Sequence, residues 1–328
     1  MFRYLVLAAM AALLPLAAQA ETDHVSIAEQ YGIAYLPLTV MRDQSLFEKR
    51  LHEAGLAPTV TWTVFSGGAP MTDAVLSGSL DFASGAFSSF ILLWNKSHGA
   101  VRAIVPLPAT PLYFLTIQPG LERIADIGPG SRVALPAVGV STQAFLLQYV
   151  AAQAFGADQY RRFDALTVTM GHPDAANVLT IGRTEVNAHF SAPPFQAAEL
   201  RNPAIRRIGS SYDILGGMHT SSVAWCPVKF HGANPKTFMA FLLAYQDASK
   251  LIQRDPGLAA QAYLRQTGSR EKLGSATQQI VDPELDFGLV PMKLDKITGL
   301  LFDTKRLPTR PDIDRDVFFP ELRQLTGP

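Results

Sequence analysis

The sequence predicts an α/β fold of two similar lobes, joined by a hinge and enclosing a ligand cleft. Strand-like and helix-like segments alternate through most of the chain, one strand–turn–helix–strand unit recurs, and a proline-rich connector separates the copies. Alternation of this kind implies parallel sheet with helices on both faces.

Residues 25–31 read as the first strand, and a helical pattern follows from about Leu38 to Ala54. Residues 60–65, rich in β-branched and aromatic types, read as the next strand. Ser66-Gly67-Gly68-Ala69-Pro70 makes a turn with Pro70 in the first turn of a helix that runs to Leu76 and stops at Gly78. Residues 80–83 form a short buried strand, and Ser84-Gly85-Ala86 opens a helix over residues 87–94. The unit recurs about 105 residues later. There Thr169-Met170-Gly171-His172-Pro173 matches the first turn, and Gly182 to Ala188 matches Gly78 to Ala83. The two copies end at Ser84-Gly85-Ala86-Phe87 and at Ser191-Ala192-Pro193-Pro194-Phe195.

Pro106, Pro108 and Pro111 mark an extended connector between the lobes. The second lobe continues through a strand at 132–135 and a helix at 141–155, and an extended return follows at 222–228. Asn234-Pro235 starts a long helix through Ile252, with Phe238, Phe241, Leu242, Tyr245 and Leu251 on one broad face. Asp255-Pro256 restarts another, and further helix is expected from Lys293 onward. The expected domains are a signal peptide at 1–20, lobe I at 21–108 and 223–328, and lobe II at 109–222.

The chain starts with Arg3, an apolar run over 5–16 of about 12 residues, and Ala18-Gln19-Ala20. This is the layout of a cleavable secretory signal, too short to span a bilayer; the alternative is a buried N-terminal helix. Cleavage after Ala20 would leave Glu21 as the first residue. With 48% hydrophobic and 17% charged residues, the 328-residue chain suits two core-bearing lobes. Lys plus Arg balances Asp plus Glu at 28 each, so no global field favours nucleic acid or an anionic membrane. Cys226 is the only cysteine and lies far from the signal, which excludes an internal disulfide, a four-cysteine zinc site and a lipid anchor at the cleavage point. The expected compartment is the periplasm.

No phosphate loop, zinc helix or dinucleotide turn is present. Gly139-Val140-Ser141-Thr142-Gln143 resembles a nucleophile elbow, but Gln143 replaces the second Gly, and a Ser-Thr pair opening a helix reads better as a cap. The seven histidines show no metal-ligand spacing, and no metal or cofactor is expected. Instead, hydroxyls and glycines gather at strand-to-helix turns: Ser66-Gly67-Gly68, Ser84-Gly85, Ser88 and Ser141-Thr142. Helix N-termini offer free N–H groups, and ligands of open α/β sheets bind beyond the carboxyl ends of the strands.

The run Phe65-Ser66-Gly67-Gly68-Ala69-Pro70, with Ala74-Val75-Leu76-Ser77-Gly78-Ser79-Leu80-Asp81-Phe82, resembles periplasmic substrate-binding proteins of ABC importers for nitrate, sulfonates and taurine. Thiamine-pyrimidine-precursor binders share the pattern. Leu46-Phe47-Glu48-Lys49 is similar to the family's early helix, and Ile124-Ala125-Asp126-Ile127 to its linker into the second lobe. The resemblance spans roughly residues 25–252. It implies a type II periplasmic-binding-protein fold whose lobes close over the solute. The implied ligand-binding positions in the first lobe are Tyr35, Leu36, Ser66, Gly67, Gly68, Ser84, Gly85 and Phe87. In the second they are Ser141, Thr142, His172, Ser191 and Pro193, with Trp225 at the return as an aromatic wall or a core residue. No Arg or Lys stands at these turns, which leaves room for a neutral or aromatic solute beside a small anion.

The resemblance implies a monomer that hands its solute to an importer permease and its ATPase, without nucleic acid or stable membrane insertion. Two other classes compete. An exported enzyme would use Ser141 or His172 and would need an oriented general base beside the nucleophile. A periplasmic sensor subunit would dock onto a receptor, and neighbouring genes for a permease and an ATPase would tell the two apart.

Overall fold

The computed structural model describes residues 21–65 and 68–327. The expected signal at 1–20 and the turn residues Ser66 and Gly67 lie outside the described residues. Among the described residues ten strands form sheets of two, three and five strands: β1 (His24–Gln30), β2 (Thr59–Phe65), β3 (Ala83–Ala86), β4 (Val101–Pro106), β5 (Tyr113–Thr116), β6 (Val133–Leu135), β7 (Thr167–Thr169), β8 (Ala188–Ser191), β9 (Arg206–Ser210) and β10 (Ser222–Pro227).

In the first lobe β1 and β2 run parallel, His24 opposite Thr59 through Gln30 opposite Phe65. A parallel bridge between Ile27 and Phe82 joins β1 to the segment entering β3, and β10 lies antiparallel between β3 and β4. The five-stranded sheet of the second lobe has the order β7-β6-β8-β5-β9, with β5 antiparallel to both of its neighbours and β6 parallel to both of its own. The expectation of purely parallel sheet is corrected: β10 and β5 each run against their neighbours after the chain has crossed between lobes.

The motif residues owe their identities to this packing. Asp81 accepts hydrogen bonds from the N–H and hydroxyl of Ser26 at 2.8 Å each, pinning β1 to the approach of β3. Phe82 follows, wholly buried, and stacks on Phe241 of the helix Pro235–Arg254 at 4.2 Å between centroids. Phe47 meets both rings edge-on at 6.1 and 5.8 Å. Such pairs add about 0.5–1.5 kcal/mol each beyond burial.

Three differences from the sequence reading have physical causes. The helical pattern at 38–54 is two helices, Leu36–Asp43 and Leu46–Glu53, parted at Ser45, whose φ of 50° breaks the α ladder. The third strand lies at Ala83–Ala86, not 80–83, because β10 pairs there from Ser222 opposite Ala86 to Trp225 opposite Ala83. Ser84 and Gly85 are therefore strand residues and not a helix-opening turn. Strands β4 and β5, flanking the proline connector, carry too little alternation to stand out: every residue of 103–106 is buried.

Two segments, 107–112 and 216–221, cross between the lobes, and a third, at 282–293, runs beside them. Ala109 and Asp286 exchange both backbone hydrogen bonds, at 2.9 and 3.0 Å. Tyr113 Oη donates to Glu284 Oε2 at 2.6 Å, and Thr220 N–H donates to Met292 O at 3.0 Å. Beyond it the tail forms the helix Leu294–Asp303 and the helix Glu321–Thr326, between which Phe318 bridges to Ala103 of β4. No helix among the described residues is long and apolar enough to cross a membrane.

Candidate functional site

The principal cleft lies between the lobes, beyond the carboxyl ends of β1, β3, β6, β7 and β8. The first lobe lines it with Gln30, Tyr31, Gly32, Ala34 and Tyr35 after β1, with Ala86, and with Ser89 from the helix Phe87–Lys96. The second lobe supplies Pro136, Ala137, Val140, Ser141, Thr142 and Gln143 after β6, His172 after β7, and Ala192 and Pro193 after β8. Thr110, Leu112, Ser221 and Ser222 line it from the crossings. The enclosed volume is about 70 Å³, enough for a few waters.

Direct bonds draw the two walls together. Pro193 O accepts the Ile33 N–H at 3.0 Å, and Ser89 Oγ donates to Val140 O at 3.1 Å. Ser221 O accepts both the Phe87 N–H at 2.9 Å and Thr142 Oγ1 at 3.1 Å. The lobes thus stand closed.

Ser141 caps the helix Thr142–Phe155, its Oγ accepting the Ala144 N–H at 3.2 Å. The partial positive charge of this helix end faces the cleft. Among the described lining residues there is no Lys, Arg, Asp or Glu. Tyr35 is a buried phenol held well above its ordinary pKa, first by burial and further by the Glu29 carboxylate, against the hydrogen bond from Ser222. Glu29 itself is buried behind the cleft, 2.9 Å from Arg42 Nη1 and 3.1 Å from Thr39 Oγ1; burial raises its pKa, against both partners.

A buried polar chain leads away from the cleft into the second lobe. Gln143 Nε2 is 3.1 Å from His172 Nε2, and His172 Nδ1 is 2.9 Å from His189 Nε2. His189 Nδ1 is 2.7 Å from Glu199 Oε1, and Ser191 Oγ donates to Glu199 Oε2 at 2.5 Å. Burial, reinforced by His189 beside it, holds His172 well below the ordinary imidazole range.

Of the residues expected at the site, Tyr35, Ser141, Thr142, His172 and Pro193 line the cleft. Leu36 and Phe87 are wholly buried in the core instead, because each begins a helix whose first side chain turns inward. Trp225 is also core, packed on Phe90 at 5.4 Å. Ser84 and Gly85 act one step removed: Ser84 O accepts Gln30 Nε2 at 3.1 Å, and a Cβ on Gly85 would stand 2.8 Å from that nitrogen. Ser191 likewise is buried behind the cleft, holding Glu199. Gly68 opens the helix Gly68–Leu76. Gln30 and Gln143 escaped the sequence reading: a glutamine after a strand carries no motif, and Gln143 entered it only as the residue that spoils an elbow.

Ser141 Oγ accepts the helix-capping bond from Ala144, and both ring nitrogens of His172 have partners, Gln143 and His189.

Comparison with solved structures places the architecture. The alkanesulfonate-binding protein SsuA of Xanthomonas axonopodis pv. citri, bound to MOPS, is similar with a TM-score of 0.71 at 18% identity, over 91% of this chain and 99% of that one. The periplasmic aliphatic sulphonate-binding protein SsuA of Escherichia coli gives 0.66 at 16% identity, covering 91% and 93%. The periplasmic nitrate-binding protein NrtA of Synechocystis PCC 6803 gives 0.67 at 13%, covering 94% and 89%. The chain therefore has the fold of the periplasmic binding proteins. No protein-family model matches the sequence, and no curated protein matches it.

Proposed function

We propose that this chain is an extracytoplasmic solute-binding protein that captures a small organic solute or anion between its lobes and delivers it to an ABC importer. The observation that carries the reading is the cleft itself, lined by the carboxyl ends of strands from both lobes and spanned by the Ile33–Pro193 and Ser89–Val140 bonds. Its similarity to sulfonate- and nitrate-binding proteins supports the same reading. Residues 1–20 act as a cleaved signal without a lipid anchor, lobe I comprises 21–108 and 223–328, and lobe II comprises 109–222. The mature protein works as a periplasmic monomer, presenting its closed form to a permease and its ATPase without catalysing a reaction.

A thermal-shift screen of sulfonates, carboxylates, nitrate and neutral amides tests this, since a solute that binds only the folded form raises its stability by mass action. A hit should be recovered unchanged after incubation and should hold the lobes closed, with a radius of gyration in small-angle scattering no larger than that of the free protein. Chemical conversion of the hit, or a larger radius at saturation, would overturn the proposal.

A further inference from the structure

We propose that Gln143 determines which solutes the cleft accepts: its carboxamide oxygen, held outward by the buried His172–His189–Glu199 chain, selects molecules that present a hydrogen-bond donor. This rests on the solute-binding reading above and names the chemistry of that site.

Hydrogen-bond sense runs in one direction along this chain. Gln143 turns its amide nitrogen, a donor only, toward His172 Nε2, which must therefore accept. With one proton per neutral ring, His172 then carries its hydrogen on Nδ1 and donates to His189 Nε2. His189 in turn carries its hydrogen on Nδ1 and donates to Glu199 Oε1. The Glu199 carboxyl also takes the Ser191 hydroxyl at Oε2, so each of its oxygens has a donor. With the Gln143 nitrogen toward His172, every ring nitrogen and both carboxyl oxygens have a partner of the right sense.

Gln143 Oε1 makes no hydrogen bond among the described residues, and Gln143 lines the cleft. The His172 ring cannot easily turn to release it, being buried and stacked on Phe195 with 5.8 Å between centroids. An oxyanion placed against this oxygen meets lone pairs with lone pairs. An N–H or O–H placed there completes the chain. The lack of Lys and Arg among the described lining residues points the same way.

Two measurements test the proposal. Nitrogen-15 NMR of histidine-labelled protein at neutral pH should show both His172 and His189 as Nδ1–H tautomers. An Nε2–H tautomer at His172, or an imidazolium at His189, would overturn it whether or not any solute binds. Calorimetry with the matched probes benzenesulfonamide and benzenesulfonate should then favour the sulfonamide by about tenfold or more. Gln143→Leu, and His172→Phe, which frees the amide to rotate, should bring the ratio near one. A sulfonate preference in the unaltered protein would sink the donor rule. If that sulfonate binds and is recovered unchanged, the solute-binding reading survives alone. Should neither probe bind, the tautomers decide.

Discussion

Ile33 in the first lobe donates its backbone N–H to Pro193 O in the second at 3.0 Å. The contact joins the turn after β1 to the turn after β8, two positions whose lobes are connected only through the crossings. Gly32 makes the approach feasible. Its φ of 120° lies where only glycine is comfortable, and a Cβ there would stand 3.2 Å from Pro193 O.

Gly32→Ala should therefore disfavour closure while leaving each lobe folded. The expected result is a larger radius of gyration than the parent's in scattering, with near-UV circular dichroism retained. Any solute found by screening should bind several-fold more weakly. An unchanged radius would mean that this bond does not hold the lobes.

Ser141 and Thr142 adjoin each other but act differently. Ser141→Ala removes a cap and should cost about 1 kcal/mol of stability, read from urea denaturation. Thr142→Val removes the hydroxyl bonded to Ser221 O, a bond worth about 0.5–1.5 kcal/mol, and that bond exists only when the lobe meets the crossing. Thr142→Val should therefore move the open–closed balance seen by scattering, and Ser141→Ala should move the denaturation midpoint. Equal effects of both variants on both readouts would refute the division of labour.

Phe82 tests the core. Its stacked contact with Phe241 and edge contact with Phe47 tie the approach to β3 to the helices 235–254 and 46–53. Phe82→Ala should destabilise by about 3–5 kcal/mol in urea denaturation, the range for a fully buried aromatic. A loss under 1 kcal/mol would show that this cluster is not an anchor.

The same residue shows why the fold was legible. Asp81-Phe82 and Phe47 are recognisable because packing and pinning demand those side chains at those places. Strand β3 was displaced by three residues because nothing local to 80–86 announces that β10, far along the chain, pairs with 83–86. The site was only half legible for a related reason. Ser141 and Thr142 were readable as a helix start, which is a local signal. Gln30 and Gln143 matter through partners distant in sequence, Ser84 and His172, and only the fold brings those together. Leu36 and Phe87 sit at the right turns and Trp225 within β10, but which face a side chain takes depends on the tertiary core.

The last prediction concerns acid. His219 lies in the crossing 216–221, wholly buried, with Nδ1 3.3 Å from Gly217 O and Nε2 3.0 Å from Ser221 Oγ. Burial, chiefly, lowers its pKa to about 4, with Lys293 adding to the shift and the Gly217 carbonyl opposing it. The unfolded chain titrates this group near 6.5. Between those values the unfolded state holds a proton that the folded state refuses, so stability rises with pH across the window. It is undiminished above about 6.5 and falls as pH drops toward 4, by up to about 3 kcal/mol from this group. Thermal unfolding measured from pH 7.5 to 4 should show that decline, and His219→Gln, which can still bond Gly217 and Ser221, should flatten part of it. His172, lowered by its own burial, would supply the remaining slope. A variant that follows the parent's pH profile throughout would show that the crossing does not sense protons through His219.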